Sequence, residues 1–425
     1  MSAPAPSTYI RWVGYAILLS LFVLPALVGR NTSVTLAIGA LLLLFSPSSL
    51  KTLRQASPNP VDWIFLGSFV ALGLAFALSS EDLNDFKYIF NFAPYLLMVP
   101  LRKQFERLAR MNAAETVAWM AFAGTVLFTA VALFEVFIEG RTRVYGPMNS
   151  FQFAYTTMLL GFLSLAGLFS DQSSRRWIFL TGPMLAVFTV MISGTRGALL
   201  AAPVLTILSF VFAMVTMPKH RKVILFSGVG AVALFAVLLF IAMQLGLTRS
   251  ISGLDVPRQL LAGEKLDKSS FERLTMLQGA WGAFWDSPIW GHGWRDMVPA
   301  IFPHVPPETV ARMSSFRHLH NGYANFGVGA GLIGVISFIL VLAAPVLGTF
   351  FMPRDSQFHA RLFLALTLAL GFATFELTYI LLGFDYHGFQ FVFMTAVILG
   401  FVRDPVAQST GFGTREVGSD TAQTA

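Results

Sequence analysis

The sequence predicts an all-α polytopic membrane protein, a helical bundle with about twelve transmembrane helices and one large, partly helical extracytoplasmic loop. Hydrophobic residues make up 55% of the 425 residues and charged residues only 12%, whereas about a quarter of a soluble domain is charged. The apolar residues fall in blocks near the roughly 20 residues that cross about 30 Å of hydrocarbon. Because these blocks lack the alternation of barrel strands, they predict helices, the other structure that satisfies every backbone group in lipid.

Twelve apolar blocks define the predicted organisation. The first resembles a signal sequence, but the many later blocks favour an uncleaved first helix. The second, fourth and last are short for a span. We expect helices 1–9 in residues 1–245, a loop outside the cytoplasm in residues 246–319, helices 10–12 in residues 320–402 and a disordered cytoplasmic tail in residues 403–425. The blocks are 10–28, 33–46, 61–79, 86–101, 114–138, 150–170, 177–193, 197–216, 223–245, 320–350, 359–382 and 388–402.

The cations predict the orientation of the bundle. With the N-terminus in the cytoplasm, the inside connections and ends carry 16 Lys and Arg residues, and the short outside connections carry five. This is a strong positive-inside bias. We therefore attribute the net charge of +7 to topology and expect no nucleic-acid partner, because no basic run is interleaved with stacking aromatics. The five outside cations are Arg30, Lys87, Arg141, Arg143 and Arg196.

Arginines on the predicted outer side are candidates for binding an anion. Arg196 directly precedes the eighth block, at the predicted start of that helix. There, free helix N–H groups and a guanidinium form a phosphate site, or an interfacial arginine snorkels to lipid headgroups. Arg141 and Arg143 precede the sixth block. Either they bind an anion together, or they belong to a plain polar turn. Arg273 lies in a stretch of helical apolar spacing within the loop, where a surface ion pair with a neighbouring Glu is the alternative.

Two histidines, His318 and His320, introduce the tenth block. A histidine at the water–membrane boundary can act as a general base near neutral pH. The His-x-His spacing could instead hold a metal, although nearby carboxylates are sparse, or belong to an ordinary polar loop. Asn321 either orients the imidazole or caps the following helix, and we favour the cap. Two acids at membrane depth, Glu135 and Glu376, are expected to be paired or functional, with outer-side arginines as candidate partners that the sequence does not identify.

Three stretches of the chain resemble the O-antigen ligase and O-antigen polymerase superfamily. Arg196 in Ser-Gly-Thr-Arg-Gly-Ala resembles that superfamily's arginine. The run from Arg273 to Gly293 resembles its Arg…Pro-x-x-Gly-x-Gly signature, and His320-Asn321-Gly322-Tyr323…Gly-x-Gly-Leu-x-Gly resembles its His-Asn…Gly-Leu-x-Gly signature. The resemblance covers about residues 140–345, around the one large loop.

The resemblance implies a glycosyltransferase that acts on lipid-linked glycans at the periplasmic face of a bacterial inner membrane. The donor would be a polysaccharide on undecaprenyl pyrophosphate, and the acceptor lipid A–core in the ligase branch, another repeat unit in the polymerase branch, or a protein hydroxyl in a related branch.

Within the superfamily, the resemblance favours the ligase, with the polymerase as runner-up. It implies catalysis without metal or cofactor, with Arg196 and Arg273 on the pyrophosphate and His320 as base, or His318 if the register is off by two. Arg141, Arg143, His318 and Asn321 are then substrate-binding candidates. A rival of another class is a transporter of lipid-linked glycans, which should carry polar residues and broken helices near mid-membrane.

Overall fold

The computed structural model of the protein describes residues 8–45, 59–79, 85–170, 176–244, 259, 261–262, 266–383 and 385–405. The described residues are mainly helical and contain no strand. Eight helical stretches among them are long and apolar enough to cross a membrane, and two shorter apolar helices lie at Thr8–Phe22 and Tyr386–Phe401. The all-α polytopic fold is therefore confirmed, and the count of twelve spans stays a prediction.

The α-helices follow the apolar blocks. They are α1 Thr8–Phe22, α2 Pro25–Val28, α3 Thr32–Leu44, α4 Pro60–Ser79, α5 Met98–Arg107, α6 Ala113–Leu133, α7 Ser150–Leu163, α8 Thr181–Ser193, α9 Arg196–Leu199, α10 Ala201–Thr216, α11 Arg221–Gln244, α12 Lys268–Asp286, α13 Pro307–Met313, α14 Gly322–Phe350, α15 Phe358–Phe375 and α16 Asp385–Ala396. The 3-10 helices are Gly29–Asn31, Asp85–Leu97, Ser164–Phe169, Arg176–Leu180, Pro218–His220 and Pro299–His304, and the π-helices are Phe134–Ile138 and Val397–Phe401.

Helix α7 lies at the centre of the bundle, because every one of its residues except Phe151 is buried. By contrast, most of the stretch Arg196–Thr216 is left uncovered by the protein, as expected for a helix that faces lipid. The fourth predicted span is a 3-10 helix with Pro94 inside it, followed by α5. Proline has no backbone N–H to donate, which interrupts a regular α-helix.

Charged side chains from two predicted inside connections and the predicted C-terminal tail meet at one end of the bundle. Arg102 Nη1 and Arg403 Nη1 lie 2.8 and 2.9 Å from the same Glu106 oxygen, Oε1. Arg361, which is fully buried, donates to the carbonyl of Val402 over 3.0 Å. These contacts define what we call the cation-rich end. Helix α15 runs from this end to the opposite one over about 27 Å, at 1.5 Å per residue for 18 residues.

The predicted outer loop is described from residue 266, and it is partly helical as expected. Helix α12 buries its small face, which includes Gly279, Ala280 and Ala283. Trp281 and Trp285 on its other face are 67% and 59% exposed. Trp294 anchors the loop in the bundle, with its ring 5.1 Å from Phe92 and 5.2 Å from Phe326. Residues 406–425, which hold most of the predicted disordered tail, lie outside the described residues.

The turn after α12 docks into a break in α14. Gly293 N–H donates to Gly329 O over 3.1 Å, and Leu332 N–H donates to Pro288 O over 2.8 Å. Within α14, Gly331 has a left-handed backbone with φ of 59°. We call this contact of residues 287–293 with residues 328–332 the loop–helix junction. It fixes the loop over the end of the bundle opposite the cation-rich end, which we call the site end.

Candidate functional site

Aromatic residues form the floor of the candidate site, where α7 begins and α15 has just ended. The ring of Tyr379 stacks on Phe151 with centroids 5.0 Å apart and planes 15° apart. Tyr155, one turn along α7, shares a hydrogen bond of 2.9 Å with the hydroxyl of Thr378. Asn149 caps α7 by accepting from Gln152 N–H over 2.8 Å. We call Phe151, Tyr155 and Tyr379 the aromatic hub.

Two guanidinium groups lie against this hub. The Cζ atoms of Arg143 and Arg273 are 5.0 and 5.8 Å from the centroid of the Phe151 ring. Arg273 comes from the buried side of α12, and within the part of the chain that the structure describes it makes no hydrogen bond or ion pair. Two like charges beside one ring repel each other, and a half-buried cation without a carboxylate is poorly neutralised. An anion bound between them would relieve both effects.

Arg196 reaches the same region from another direction. It is the first residue of α9, which continues the chain into α10 as one apolar stretch, so a helix starts at the predicted residue. The neighbouring Gly197 lies so close to the hub that a Cβ there would be 2.5 Å from Thr378 Oγ1 and 2.8 Å from Tyr155 Oη. Only glycine permits that approach, and it sets Arg196 beside the hub.

The guanidinium of Arg196 is paired with Asp267, with Nη1 3.0 Å from Oδ2. The same carboxylate caps α12 by accepting from Ser269 N–H and Ser270 N–H. Burial works against ionisation of Asp267, but hydrogen bonds from Ser270 and the charge of Arg196 outweigh it and hold its pKa below the ordinary value. An ion pair this exposed contributes little stability, so an incoming phosphate can replace the carboxylate.

Arg141 has a different environment from Arg143. Its Nε lies 2.7 Å from Glu139 and its Nη1 3.6 Å from Glu135. The expected arginine partner of Glu135 is thus confirmed, and that carboxylate also accepts from Tyr145 N–H over 2.8 Å. Glu376 does not pair with an arginine among the described residues; its carboxylate accepts from the backbone N–H groups of Leu381 and Leu382. These bonds order the turn that carries Tyr379.

The two histidines stand at the edge of the hub. Their ring centroids are 4.3 Å apart, and the His318 ring is 5.3 Å from that of Tyr379. His320 has a left-handed backbone with φ of 53°, and its N–H donates to His318 Nδ1 over 3.2 Å. Non-glycine residues with positive φ are uncommon and cluster at functional sites. The predicted cap is confirmed, since Asn321 Oδ1 accepts from Ala324 N–H over 2.9 Å.

Burial and nearby cations keep both imidazoles neutral. Burial, with the charge of Arg273, lowers the pKa of His318 to about 4. Burial, His318 and Arg273 together lower the pKa of His320 to about 3. A neutral imidazole can accept a proton, which is what a general base requires. Among the described residues, no group of three His, Asp or Glu side chains converges in a way that could hold a metal.

The structure therefore brings together Arg143, Arg196, Arg273, His318 and His320, and ties Arg141 to glutamates. Sequence reasoning missed the groups around which they assemble. Phe151, Tyr155 and Tyr379 sit at the ends of apolar blocks, where aromatic residues are common at any membrane interface. Asp267 gave no signal beyond its position before a helical stretch.

This fold and site define a polytopic membrane protein with a cationic, histidine-bearing site at one end of its bundle. Residues 182–339 match the family model described as O-antigen ligase. The match holds Arg196, Arg273 and His320, and it confirms the resemblance to the O-antigen ligase and polymerase superfamily. An uncharacterized protein of Haemophilus influenzae is 22% identical over 341 residues, which cover 78% of this chain and 83% of that protein.

Proposed function

We propose that the protein is a glycosyltransferase that moves a polysaccharide from undecaprenyl pyrophosphate to a sugar of lipid A–core, as an O-antigen ligase does. One observation carries the proposal: Arg273 and two neutral imidazoles occur together in one family-matched segment. Among the described residues, Arg273 has no carboxylate partner. Cations suit a leaving group that gains negative charge, and a neutral imidazole suits an acceptor that loses a proton.

The reaction has one bond formed and one broken. The acceptor hydroxyl oxygen attacks the anomeric carbon while the bond from that carbon to the pyrophosphate oxygen breaks. His320 takes the hydroxyl proton. Arg273 and Arg196, with Arg143 as a further contributor, stabilise the charge that develops on the pyrophosphate, and Asp267 is displaced from Arg196 in the process. Attack opposite the leaving group inverts the configuration at the anomeric carbon. No step draws on a metal or cofactor.

The runner-up is an O-antigen polymerase, in which the acceptor is a second lipid-linked repeat unit. The donor chemistry and the site are the same for both. In either case the site end faces the periplasm of a bacterial inner membrane, where the lipid-linked donor and the acceptor meet.

The break in α14 could suggest a transporter of lipid-linked glycans, but its contacts do not support that function. Broken helices in transporters expose backbone groups to a substrate. Here the break is filled by the loop, since Leu332 N–H donates to Pro288 O over 2.8 Å. The break is thus a docking point within the protein.

The test is deletion of the gene, followed by electrophoresis of lipopolysaccharide and extraction of the lipid-linked pool. A ligase predicts lipid A–core without any attached glycan, together with accumulated polymer on the lipid carrier. A polymerase predicts one attached repeat. Lipopolysaccharide of wild-type length, with no change in the lipid-linked pool, would contradict both.

A further inference from the structure

The cation-rich end carries a recess that the proposed function does not use. It has a volume of about 280 Å³ and is bordered by Arg176, Lys219, His220 and His359. Its remaining lining includes the apolar side chains of Leu168, Phe169 and Met217. The recess thus combines cationic and apolar walls where α10 ends and α15 begins.

The cations of this recess differ from their neighbours, because no carboxylate of the described residues lies beside them. In the middle of the cation-rich end, Arg102 and Arg403 both contact Glu106, and Arg361 contacts Asp355. Within the described residues, no Asp or Glu lines the recess, and neither Arg176 nor Lys219 is in an ion pair. The positive-inside rule accounts for cations on this side, but not for their convergence on one recess without acids.

Two neighbouring side chains hold the guanidinium of Arg176 in position. Arg176 Nη2 is 3.0 Å from His220 Nε2, and because a guanidinium only donates, the imidazole nitrogen is the acceptor of this hydrogen bond. The Arg176 guanidinium also lies 5.4 Å from the centroid of Trp177, whose ring is 5.7 Å from that of His220. These contacts hold the guanidinium, and no carboxylate among the described residues neutralises its charge.

We propose that this recess binds the phosphate of an anionic glycerophospholipid. A phosphate accepts from the guanidinium and the ammonium, and the apolar lining covers the glycerol and the first acyl carbons. Basic pockets between membrane helices bind phosphate headgroups in this way. The combination of cationic and apolar walls favours a lipid over free inorganic phosphate, because a free anion gains nothing from Leu168, Phe169 and Met217. The inference is independent of the proposed function.

The test is native mass spectrometry of the purified full-length protein with added phosphatidylglycerol or phosphatidylcholine. The double variant Arg176→Gln, Lys219→Gln is expected to bind phosphatidylglycerol about 25-fold more weakly, since each cation near an anionic surface contributes about fivefold. Lys222→Gln is the matched control, because Lys222 is a cation of the same connection that does not line the recess, and it should bind as the wild type does.

The outcomes show whether the recess binds a phosphate and whether that phosphate belongs to a lipid. Loss of phosphatidylglycerol adducts in the double variant only, with no effect of millimolar inorganic phosphate, supports the proposal. Displacement of the lipid by inorganic phosphate would identify a soluble anion as the ligand and overturn the lipid assignment. Equal binding of phosphatidylcholine and phosphatidylglycerol, or equal loss in Lys222→Gln, would overturn the site. Thermal unfolding of each variant shows whether it is folded.

Discussion

Arg273 differs from Arg141 and Arg196, two other arginines of the site end, in its surroundings. Arg141 and Arg196 each pair with a carboxylate, whereas Arg273 lies over the ring of Phe151 without one among the described residues. A cation of this kind gains most from an anionic ligand, because no internal pair has to be broken first.

Arg273→Lys tests the role of this guanidinium. An ammonium keeps the charge but loses the planar fork that grips two phosphate oxygens. We expect kcat/KM for glycan transfer to fall by about 10²–10³-fold, as it does when a preorganised donor is lost. The assay is transfer from lipid-linked donor to acceptor in membranes with matched protein levels. Arg312→Lys is the control, since Arg312 pairs with Glu272 in the same loop, and it should stay active.

His320→Asn tests the base without disturbing the turn. Asn tolerates the left-handed backbone that His320 adopts, so the variant should fold. We expect transfer to fall by about 10²–10⁴-fold while binding of the donor persists. His304→Asn, in the same loop but paired with Asp286, should leave transfer intact. Full activity of His320→Asn with a dead His318→Ala would assign the proton to His318.

The pH profile gives a second measure of the same group. A general base works only when it is deprotonated, and the pKa of His320 is lowered to about 3. Activity should therefore hold as the pH falls from 8 to 5 and decline only below that. An acid limb centred near 6.5, the ordinary pKa of histidine, would show that the imidazole is not buried as described.

Asp267→Asn tests whether the carboxylate competes with the donor for Arg196. Asparagine still caps α12, because its side-chain oxygen accepts the same N–H groups, but it no longer carries the charge that pairs with Arg196. We expect KM for the donor to fall, by about fivefold at most for so exposed a pair. Ser270→Ala removes a hydrogen bond to the same carboxylate and serves as the control. A higher KM in Asp267→Asn would mean that Asp267 orients Arg196 for binding.

At the scale of elements, the glycine signatures of the family prove to be structural. Gly291 and Gly331 both have left-handed backbones, with φ of 74° and 59°. A Cβ on Gly291 would be 2.5 Å from Ala330 N, and one on Gly331 would collide with the backbone of Ile289. The loop–helix junction needs both glycines so that two backbones can approach. The proposed chemistry belongs to the residues around it.

Gly331→Ala should therefore destabilise the protein. The molecules that still fold should keep the activity of the site. A strained backbone and a collision each cost about 1–3 kcal/mol. Gly140→Ala carries the strain alone, since Gly140 has φ of 67° with nothing within 4 Å of a Cβ there. Gly67→Ala, inside a helix and in open space, carries neither and should match the wild type. Thermal unfolding in detergent should give the highest unfolding temperature for Gly67→Ala, a lower one for Gly140→Ala and the lowest for Gly331→Ala.

For the whole molecule, the sequence predicts the helices better than it predicts the site. Lipid imposes length and composition on every span, so the apolar blocks align with α4, α6 and α10 without any tertiary information. The cap of α14 by Asn321 is likewise local. The hub depends on Phe151 meeting Tyr379, 228 positions apart (379 − 151). No periodicity carries information about such a contact, and this is why the partners of the predicted arginines and histidines had to come from the structure.

The orientation of the bundle is the prediction on which the proposed function depends most. The chain has no cysteine, so single cysteines can report on each end. Ser269, exposed at the site end, and Ser356, exposed at the cation-rich end, are suitable positions. We expect Ser269→Cys to react with a membrane-impermeant maleimide once the outer membrane is permeable, and Ser356→Cys only after the inner membrane is breached, because the cations hold their end in the cytoplasm. The reverse pattern would place the arginines and histidines away from the periplasm, and a periplasmic glycosyltransferase could not then work at this site.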